Sequence, residues 1–412
     1  MNNSRKAVLF FVAGISGGTA TLSYRIGKTY QEDGFDIFYI YNIDNSPENK
    51  QLMIKDGFHL KKASLRDWKK LSLHYAEEYG EIILYTYTLR YMTVVDSVRK
   101  ELCTKSKKVS GYLYVVLNEC LISGYHLKNN HAISYRIINV LNKPYIMSLY
   151  KHNKIIFMDE GCISTTENEL KTKLVDSEGK LIRLPYDTEN MSEAKYKDHK
   201  IICTMSRIDF PFKSYVLGLV DIFCNFSNNY DAELWIIGNG KDFNTLTGHI
   251  QSMPDEYKER IKLFGNIDYS EVKALIRKSY VFVGMGTSLL DSVSVMIPSI
   301  PVQVHNQECM GNGFFNNNPN KLGFMKEEKG LHSISKEIYE ILEMSMDDYL
   351  KLCYAEHKAF KDNYGTQCFK ERISRLAISR DSLLDRLTAV PFNIAQAMLI
   401  LYSFIKNKRR TE

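Results

Sequence analysis

The sequence lacks the features that mark several classes of protein. Its eight cysteines show no CxxC pair and no Cys/His spacing of the kind that a structural zinc site needs. No Asp-x-Asp pair stands at the end of a predicted strand to suggest a metal-dependent site. The charge balance is only +6, and no basic block occurs before the last few residues, which argues against nucleic acid as a partner.

What is present is typical of an ordinary globular protein. With 44% hydrophobic and 25% charged residues, the chain can bury a core and is neither disordered nor collagen-like. Its 412 residues exceed what one hydrophobic core supports, so we expect two domains. The scattered cysteines indicate reduced thiols in a cytoplasmic protein.

The first residues allow two interpretations. A charged start followed by the apolar run Ala7–Ala13 has the parts of a signal peptide. Glycines at 14, 17 and 18, followed by a helical pattern, instead favour a buried strand, a glycine loop and a helix. We prefer the second interpretation.

Short apolar strands alternate with helical stretches along the chain, which predicts an α/β fold of parallel sheets with crossover helices. The polar stretch Pro185–Lys200 resembles an exposed connection, after which the same alternation begins again. We therefore expect two doubly wound, Rossmann-like domains facing a central cleft. Their predicted limits are 1–190 and 199–365, with C-terminal helices over 366–412.

The expected elements are as follows. Strands are predicted at Ala7–Ala13, Ile37–Tyr41, Ile82–Tyr85, Tyr112–Leu117, Lys154–Met158, Ile201–Met205, Glu233–Ile237, Ile261–Phe264 and Val281–Val283. Helices are predicted at Thr19–Glu32, Ser64–Tyr79, Thr88–Ser106, His131–Leu149, Lys213–Phe226, Lys241–Gln251, Tyr269–Lys278, Ser288–Val295 and within Ser335–Arg380.

Two cations follow the first strand of the second half. In open parallel sheets, ligands bind beyond the carboxyl ends of the strands. Arg207 and Lys213 lie on the loop that follows Ile201–Met205. A guanidinium fork and a point charge suit a diphosphate, although two solvated surface charges are the alternative.

Glycine-rich turns follow the next three strands. Gly238-Asn239-Gly240 and Gly265-Asn266-Ile267 either bring backbone amides to a ligand or simply make tight turns. Gly284, Gly286 and Thr287 open a helix that carries Asp291. Free amides at such a helix start bind anions, and the carboxylate could accept two ribose hydroxyls.

The order of these pieces resembles the nucleotide-sugar domain of retaining GT-B glycosyltransferases, the large "glycosyl transferases group 1" family. The stretch Leu290–Pro298 is similar to the family's glutamate-containing signature, with Asp291 in place of the ribose-binding glutamate. The resemblance implies that Arg207 and Lys213 neutralise the donor diphosphate. It also implies that Gly265 to Ile267 flank the base.

The first half matches that family more loosely. Gly17-Gly18-Thr19 resembles its double-glycine loop beside the donor phosphates and the acceptor. Glu119, His126 and His131 are candidates for the acceptor side, where the family often has a histidine. Ordinary surface or core positions are the alternative for these three.

One departure concerns an acidic position of the family motif. The family's earlier glutamate falls on Val283, so the carboxylate beside the donor sugar is missing. Either the amides from Gly284 to Thr287 hold the sugar and phosphate, or activity is altered or lost.

The resemblance implies an enzyme that moves a sugar from a nucleotide-diphosphate sugar to a glycan or lipid-linked acceptor in cell-surface polysaccharide assembly. It would retain the anomeric configuration and need neither metal nor other cofactor, because Arg, Lys and helix amides supply positive charge. A UDP-sugar is our preferred donor. The alternatives are a non-catalytic GT-B protein that binds a nucleotide sugar or a partner, and a sugar-nucleotide epimerase.

The C-terminal tail also has two interpretations. Leu387–Ile405 has no charge and is followed by four cations within Lys406–Arg410. The segment contains several polar residues and a proline, so we expect it not to span a membrane. It could dock on an anionic membrane surface, which would make the protein peripheral to the inner face, or pack back on the first domain.

Overall fold

The computed structural model describes residues 5–15, 18–105, 107–116, 121, 132–186, 193–267, 269–324, 328–376, 378 and 387–411. Within these ranges, the side chains of 132, 228, 269, 270 and 401–411 are not described. The chain forms two compact units. The first unit comprises 1–186 together with 366–412, and the second comprises 187–365.

The strands of the first unit form one parallel sheet in the order β3-β2-β1-β4-β5-β6. They are β1 (Lys6–Gly14), β2 (Phe35–Ile43), β3 (His59–Lys62), β4 (Glu81–Thr86), β5 (Lys108–Val115) and β6 (Ile155–Phe157). This is the strand order of a Rossmann-type sheet. The run from Ala7 to Val12 is wholly buried, as a central strand covered on both faces requires.

The second unit repeats this plan with a five-stranded parallel sheet in the order β11-β10-β7-β8-β9. The strands are β7 (Ile201–Met205), β8 (Glu233–Ile237), β9 (Ile261–Gly265), β10 (Val281–Gly284) and β11 (Ser299–Pro301). A small antiparallel pair joins β12 (Met310–Gly311) to β13 (His332–Ser333). The predicted doubly wound α/β architecture is therefore confirmed in both units.

Helices connect and cover these strands. In the first unit they are α1 (Gly18–Gln31), α2 (Pro47–Lys55), α3 (Trp68–Ala76), α4 (Leu89–Thr104), α5 (Ala132–Lys151) and α6 (Glu160–Leu170). The second unit has α7 (Tyr215–Tyr230), α8 (Phe243–Gln251), α9 (Asp255–Lys258), α10 (Tyr269–Ile276), α11 (Thr287–Val293), α12 (Ser335–Glu343) and α13 (Met346–Tyr364). Two further helices of the first unit, α14 (Thr366–Ser374) and α15 (Ala389–Thr411), end the chain. Short 3₁₀ turns occupy Glu178–Lys180 and Phe315–Asn317.

Three elements of the first unit were not predicted. Strand β3 is a polar edge strand in which only Leu60 is apolar, so it carries no apolar run to detect. Helix α2 begins at Pro47 after Ser46, whose hydroxyl accepts a hydrogen bond from the amide of Asn49. Helix α6 begins after Asp159, whose carboxylate accepts the amide of Cys162 at 2.7 Å.

Each unit has its own apolar core. In the first unit, the strands pack against α3, α4 and α5 around large side chains such as Trp68. In the second unit, α7, α12 and α13 cover the sheet, and Tyr280 stacks on Tyr349 with ring centroids 4.4 Å apart. These cores hold the loops at the strand ends in place.

The C-terminal helix α15 packs on α5 within the first unit. Phe392 lies against Tyr145 with ring centroids 4.9 Å apart, and Phe392 and Ala395 belong to the unit's buried core. Of the two interpretations of the tail, packing back on the first domain thus holds for the start of this helix.

None of the helices in the described ranges combines the length and the hydropathy needed to cross a membrane.

Candidate functional site

The topology of the second unit marks a ligand site between two strands. From β7 the chain proceeds to β8 and β9 on one side, and then to β10 and β11 on the other. Strand β10 pairs directly with β7, with Val281 opposite Ile202. In open α/β sheets, ligands bind where the strand order reverses in this way, beyond the carboxyl ends. The loop 206–214 and the turn 285–286 follow these two strands.

Backbone hydrogen bonds join the loops at this edge. The amide of Ile208 donates to the carbonyl of Asn239 at 3.0 Å, and the amide of Gly238 donates to the carbonyl of Gly265 at 2.8 Å. The turns after β7, β8 and β9 are therefore held against one another. This contact fixes the loop that carries the two predicted cations.

The glycines after β8 are explained by these contacts. Gly238 has a φ of +125°, and a Cβ there would lie 2.0 Å from the carbonyl oxygen of Ser206. A Cβ on Gly240 would lie 2.1 Å from the carbonyl oxygen of Ile208. No side chain fits at either position because the neighbouring loop occupies the space. The amide of Gly240 donates to the Asn239 side chain at 2.7 Å. A contact from this turn to a ligand stays a prediction.

Arg207 lies at the solvent end of the loop. Its side chain is 76% exposed and forms a 3.3 Å ion pair with Asp209. Lys241, on the turn after β8, contacts the other oxygen of Asp209 at 2.7 Å, and this hydrogen bond lowers the pKa of Asp209. Asp242 accepts the amide of Phe210 at 2.6 Å. The predicted cation Arg207 therefore belongs to an exposed cluster of two cations and two carboxylates.

Sequence reasoning missed Asp209, Lys241 and Asp242. The sequence does contain a signal for them. Acidic and basic residues lie in the turns that follow β7 and β8, and the ends of these two neighbouring parallel strands must meet. We infer that these residues position the loop.

Lys213 is in a different environment at the other end of the same loop. It is half-buried, and none of the carboxylates in the described part of the chain lies within ion-pair distance of its ammonium. Its Nζ lies 5.0 Å from the centre of the Phe212 ring. Burial, and to a lesser degree the nearby Arg207, lowers the pKa of Lys213 to about 8. The charge of a bound anion would offset both effects.

The turn after β10 brings Gly286 to the same edge. Gly286 has a φ of +69°, precedes the first residue of α11, and donates its amide to the carbonyl of Leu322 at 2.5 Å. A Cβ there would meet no atom within 4 Å, so the conformation and not crowding requires glycine. Thr287, the next predicted residue, is exposed.

Asp291 is only 2% exposed, and its helix is buried from Ser288 to Val293. Its carbonyl accepts a hydrogen bond from the Ser294 hydroxyl at 2.7 Å. The carboxylate that the sequence analysis assigned to the ribose therefore lies beneath the surface. That role stays a prediction.

Val283 is a core residue of β10. It is fully buried and pairs with Ile300 of β11. The sequence from Val281 to Leu290 contains no acidic residue, so no neighbour in β10 or the following turn replaces the family's carboxylate. A Cβ on Gly284 would lie 2.6 Å from the Phe282 ring, which explains that glycine by packing.

The loop after β1 in the first unit is fastened by two asparagines that sequence reasoning missed. Asn45 accepts the amide of Ile15 at 3.1 Å, and Asn49 donates to the carbonyl of Ile15 at 2.9 Å. Gly18 begins α1, and the carbonyl of Thr19 accepts the hydroxyl of Ser23. The predicted residues Gly17, Glu119, His126 and His131 lie outside the described residues.

In the described ranges, no three His, Cys, Asp or Glu side chains come together as a metal ion would require. At the strand ends of the second unit, Asp209 pairs with Arg207 and Lys241. Lys213 has no such partner among the described carboxylates. That arrangement can hold an anion.

No family model and no curated protein matches the sequence. Solved structures match the fold. A glycosyltransferase from Rickettsia africae has a TM-score of 0.60 at 14% identity, covering 90% of this chain and 100% of that one. HepE of Anabaena, solved in complex with UDP-glucose, has a TM-score of 0.58 at 12% identity, covering 90% and 99%. The lipopolysaccharide outer core galactosyltransferase WaaB has a TM-score of 0.55 at 12% identity, again covering 90% and 99%.

At these identities the likeness is one of fold. The two Rossmann-like α/β domains match the GT-B architecture of these glycosyltransferases, so the predicted fold is confirmed.

Proposed function

We propose that this protein is a retaining, metal-independent glycosyltransferase of the "glycosyl transferases group 1" type. It binds a nucleotide-diphosphate sugar, by preference a UDP-sugar, at the strand ends of the second unit. It transfers the sugar to a glycan or lipid-linked acceptor in cell-surface polysaccharide assembly, and it works in the cytoplasm.

The observation that carries this proposal is the environment of Lys213. A half-buried ammonium with a lowered pKa, beside a second cation and without a carboxylate at ion-pair distance among the described residues, is costly to keep charged. Its position beyond β7, where the strand order reverses, is where an open α/β sheet binds ligands. A diphosphate is the ligand whose charge offsets that cost.

The two cations of this loop also account for the chemistry of sugar transfer. In the transfer, the bond between the anomeric carbon and the diphosphate oxygen breaks while a bond from the acceptor oxygen to that carbon forms. The acceptor hydroxyl loses a proton, and the diphosphate leaves with one more negative charge. Lys213 and Arg207 stabilise this developing charge, which is how fixed cations accelerate such a step.

The fold neighbours support the class of reaction. One of them was solved with UDP-glucose, and another is a lipopolysaccharide galactosyltransferase. Retention of configuration and independence of metal are carried by the motif resemblance around Arg207, Lys213 and Asp291.

The test has two stages. A thermal-shift screen of nucleoside diphosphates should identify one, with UDP as the first candidate, that raises the melting temperature, because a ligand of the native state stabilises it. Release of that nucleoside diphosphate from its sugar conjugate should then require an acceptor and persist with excess chelator. Absence of a shift with every nucleoside diphosphate would overturn the proposal, and loss of turnover with chelator would overturn its metal-independent part.

A non-catalytic nucleotide-sugar-binding protein is the second candidate. The observation that favours it is the identity of residue 283. Val283 is a fully buried core residue, at the position where the family that this sequence resembles has a carboxylate beside the sugar. Binding of a nucleoside diphosphate without turnover of any donor, across a panel of acceptors, would select this alternative.

A further inference from the structure

Two helices of the first unit have an unusual composition. Neither α5, with 20 residues, nor α15, with 23, contains Asp or Glu, although 48 of the chain's 412 residues are acidic. The basic residues of these two helices are Arg136, Lys143, Lys151, Lys406, Lys408, Arg409 and Arg410. The pair is therefore wholly cationic.

Both helices bury one face and expose another that is also apolar. On α5, Ile133, Ile137 and Val140 are 77%, 47% and 71% exposed, and their spacing of four and three residues places them on one side of the helix.

Helix α15 repeats this arrangement. Val390, Ile394 and Met398 are 53%, 52% and 42% exposed at a spacing of four residues, while Phe392 and Ala395 face the core. Single exposed apolar residues are ordinary on protein surfaces, but rows of them on two helices that pack together indicate a docking surface.

We propose that these two rows, together with the basic end of α15, dock the first unit on an anionic lipid bilayer. Helices that lie in a membrane interface combine an apolar face with basic residues, and both helices have this combination. The negative surface potential attracts the cations, and no carboxylate on either helix opposes it.

The charge also decides between a bilayer and a second copy of the chain. Two copies joined through this surface would bring two sets of like charges together, which disfavours a dimer. An anionic bilayer neutralises the same charges. This surface belongs to the first unit and is independent of the proposed donor site.

Point substitutions test the surface better than deletion does. Removing α15 would uncover Tyr145 and the core around it, so a shortened chain could lose its fold. The side chains of Ile137, Val140, Ile394 and Met398 are exposed, and aspartate is compatible with their positions. Ile54 of α2, an apolar residue that is 55% exposed in the same unit, provides the matched control.

The experiment is sedimentation of the full chain with vesicles of phosphatidylcholine, with and without phosphatidylglycerol. The wild-type chain should sediment with the phosphatidylglycerol vesicles, and high salt should weaken this. The pairs Ile137→Asp with Val140→Asp, and Ile394→Asp with Met398→Asp, should each reduce the bound fraction at least about tenfold. Ile54→Asp should leave it unchanged, and a melting curve for each variant checks that the fold is intact.

Equal binding by folded double variants and the wild type would overturn the proposal, as would a wild-type chain that ignores phosphatidylglycerol. A dimer in sedimentation velocity that the same substitutions abolish, without vesicle binding, would assign the surface to a second copy instead.

Discussion

The loop that follows β7 carries one cation near each end, and the two cations have opposite surroundings. Arg207 points into solvent and is paired with Asp209, which Lys241 also contacts. Lys213 is half-buried, and its pKa is lowered to about 8. In the sequence the two residues are equivalent candidates, whereas in the structure Lys213 is the one of the two with no carboxylate at ion-pair distance among the described residues. The difference teaches that burial and local partners, rather than residue type, distinguish two cations on one loop, and our proposal assigns the ligand charge to Lys213.

Displacing the loop should remove the difference between the surroundings of Arg207 and Lys213. Gly240→Ala would put a Cβ 2.1 Å from the carbonyl oxygen of Ile208, so the loop or the turn must move. We expect the free energy of unfolding to fall by about 1–3 kcal/mol, together with loss of UDP binding. Denaturant unfolding and calorimetry with UDP measure the two effects.

Gly248→Ala is the control for that substitution. Gly248 lies in α8, and a Cβ there would meet no atom within 4 Å, so alanine should stabilise the helix by up to about 1 kcal/mol. Equal behaviour of the two variants would show that the turn does not depend on Gly240.

The next largest effect should come from Lys213→Met. Losing one charge-assisted contact should weaken UDP binding by about 1.5–3 kcal/mol, while the melting temperature holds or rises because a partly buried charge is removed. Lys278→Met is the matched control, since it removes an exposed cation of the same unit that lies before β10, at the opposite end of the strands. If the Lys213→Met protein binds UDP as the wild type does, the loop after β7 does not hold the diphosphate through Lys213.

Asp291→Asn should distinguish the ribose from the diphosphate. The substitution keeps the shape of the side chain and removes a charged acceptor, so UDP binding should weaken by about 1 kcal/mol. Binding of inorganic diphosphate should be unchanged, because the proposed partner is the ribose. If both ligands lose affinity equally, Asp291 does not contact the ribose.

Arg207→Met should have the smallest effect. An exposed, paired side chain contributes little, so we expect UDP binding to weaken by at most about 1 kcal/mol. Titration calorimetry on the Arg207 and Lys213 variants in one buffer measures the comparison. A larger loss of UDP affinity for Arg207→Met than for Lys213→Met would reverse the proposed ranking of the two cations.

Much of the fold was predictable because buried parallel strands are continuous apolar runs. The strands at Ile201–Met205 and Glu233–Ile237 were predicted with the bounds that the structure gives. The polar edge strand β3 and helices α2 and α6 were missed because their sequence signals are short.

The site was predictable only as far as residue type allows. The sequence places Arg207, Lys213 and the glycines on one sheet edge, and the strand order confirms that edge. It could not show that Gly238 and Gly240 face the backbone of Ser206 and Ile208, because that contact joins loops distant in sequence. The unequal burial of the two cations likewise depends on packing that no local pattern records.

The most direct test of the central claim is the uptake of protons when UDP binds at pH 8. Burial lowers the pKa of Lys213 to about 8, so a fraction of the molecules carry a neutral lysine at this pH, and a bound diphosphate should raise this pKa. Calorimetry in buffers of different ionisation enthalpy should show uptake of a fraction of a proton per UDP, and none for Lys213→Arg, whose guanidinium is always charged. Binding of UDP to the wild type without proton uptake would contradict the account.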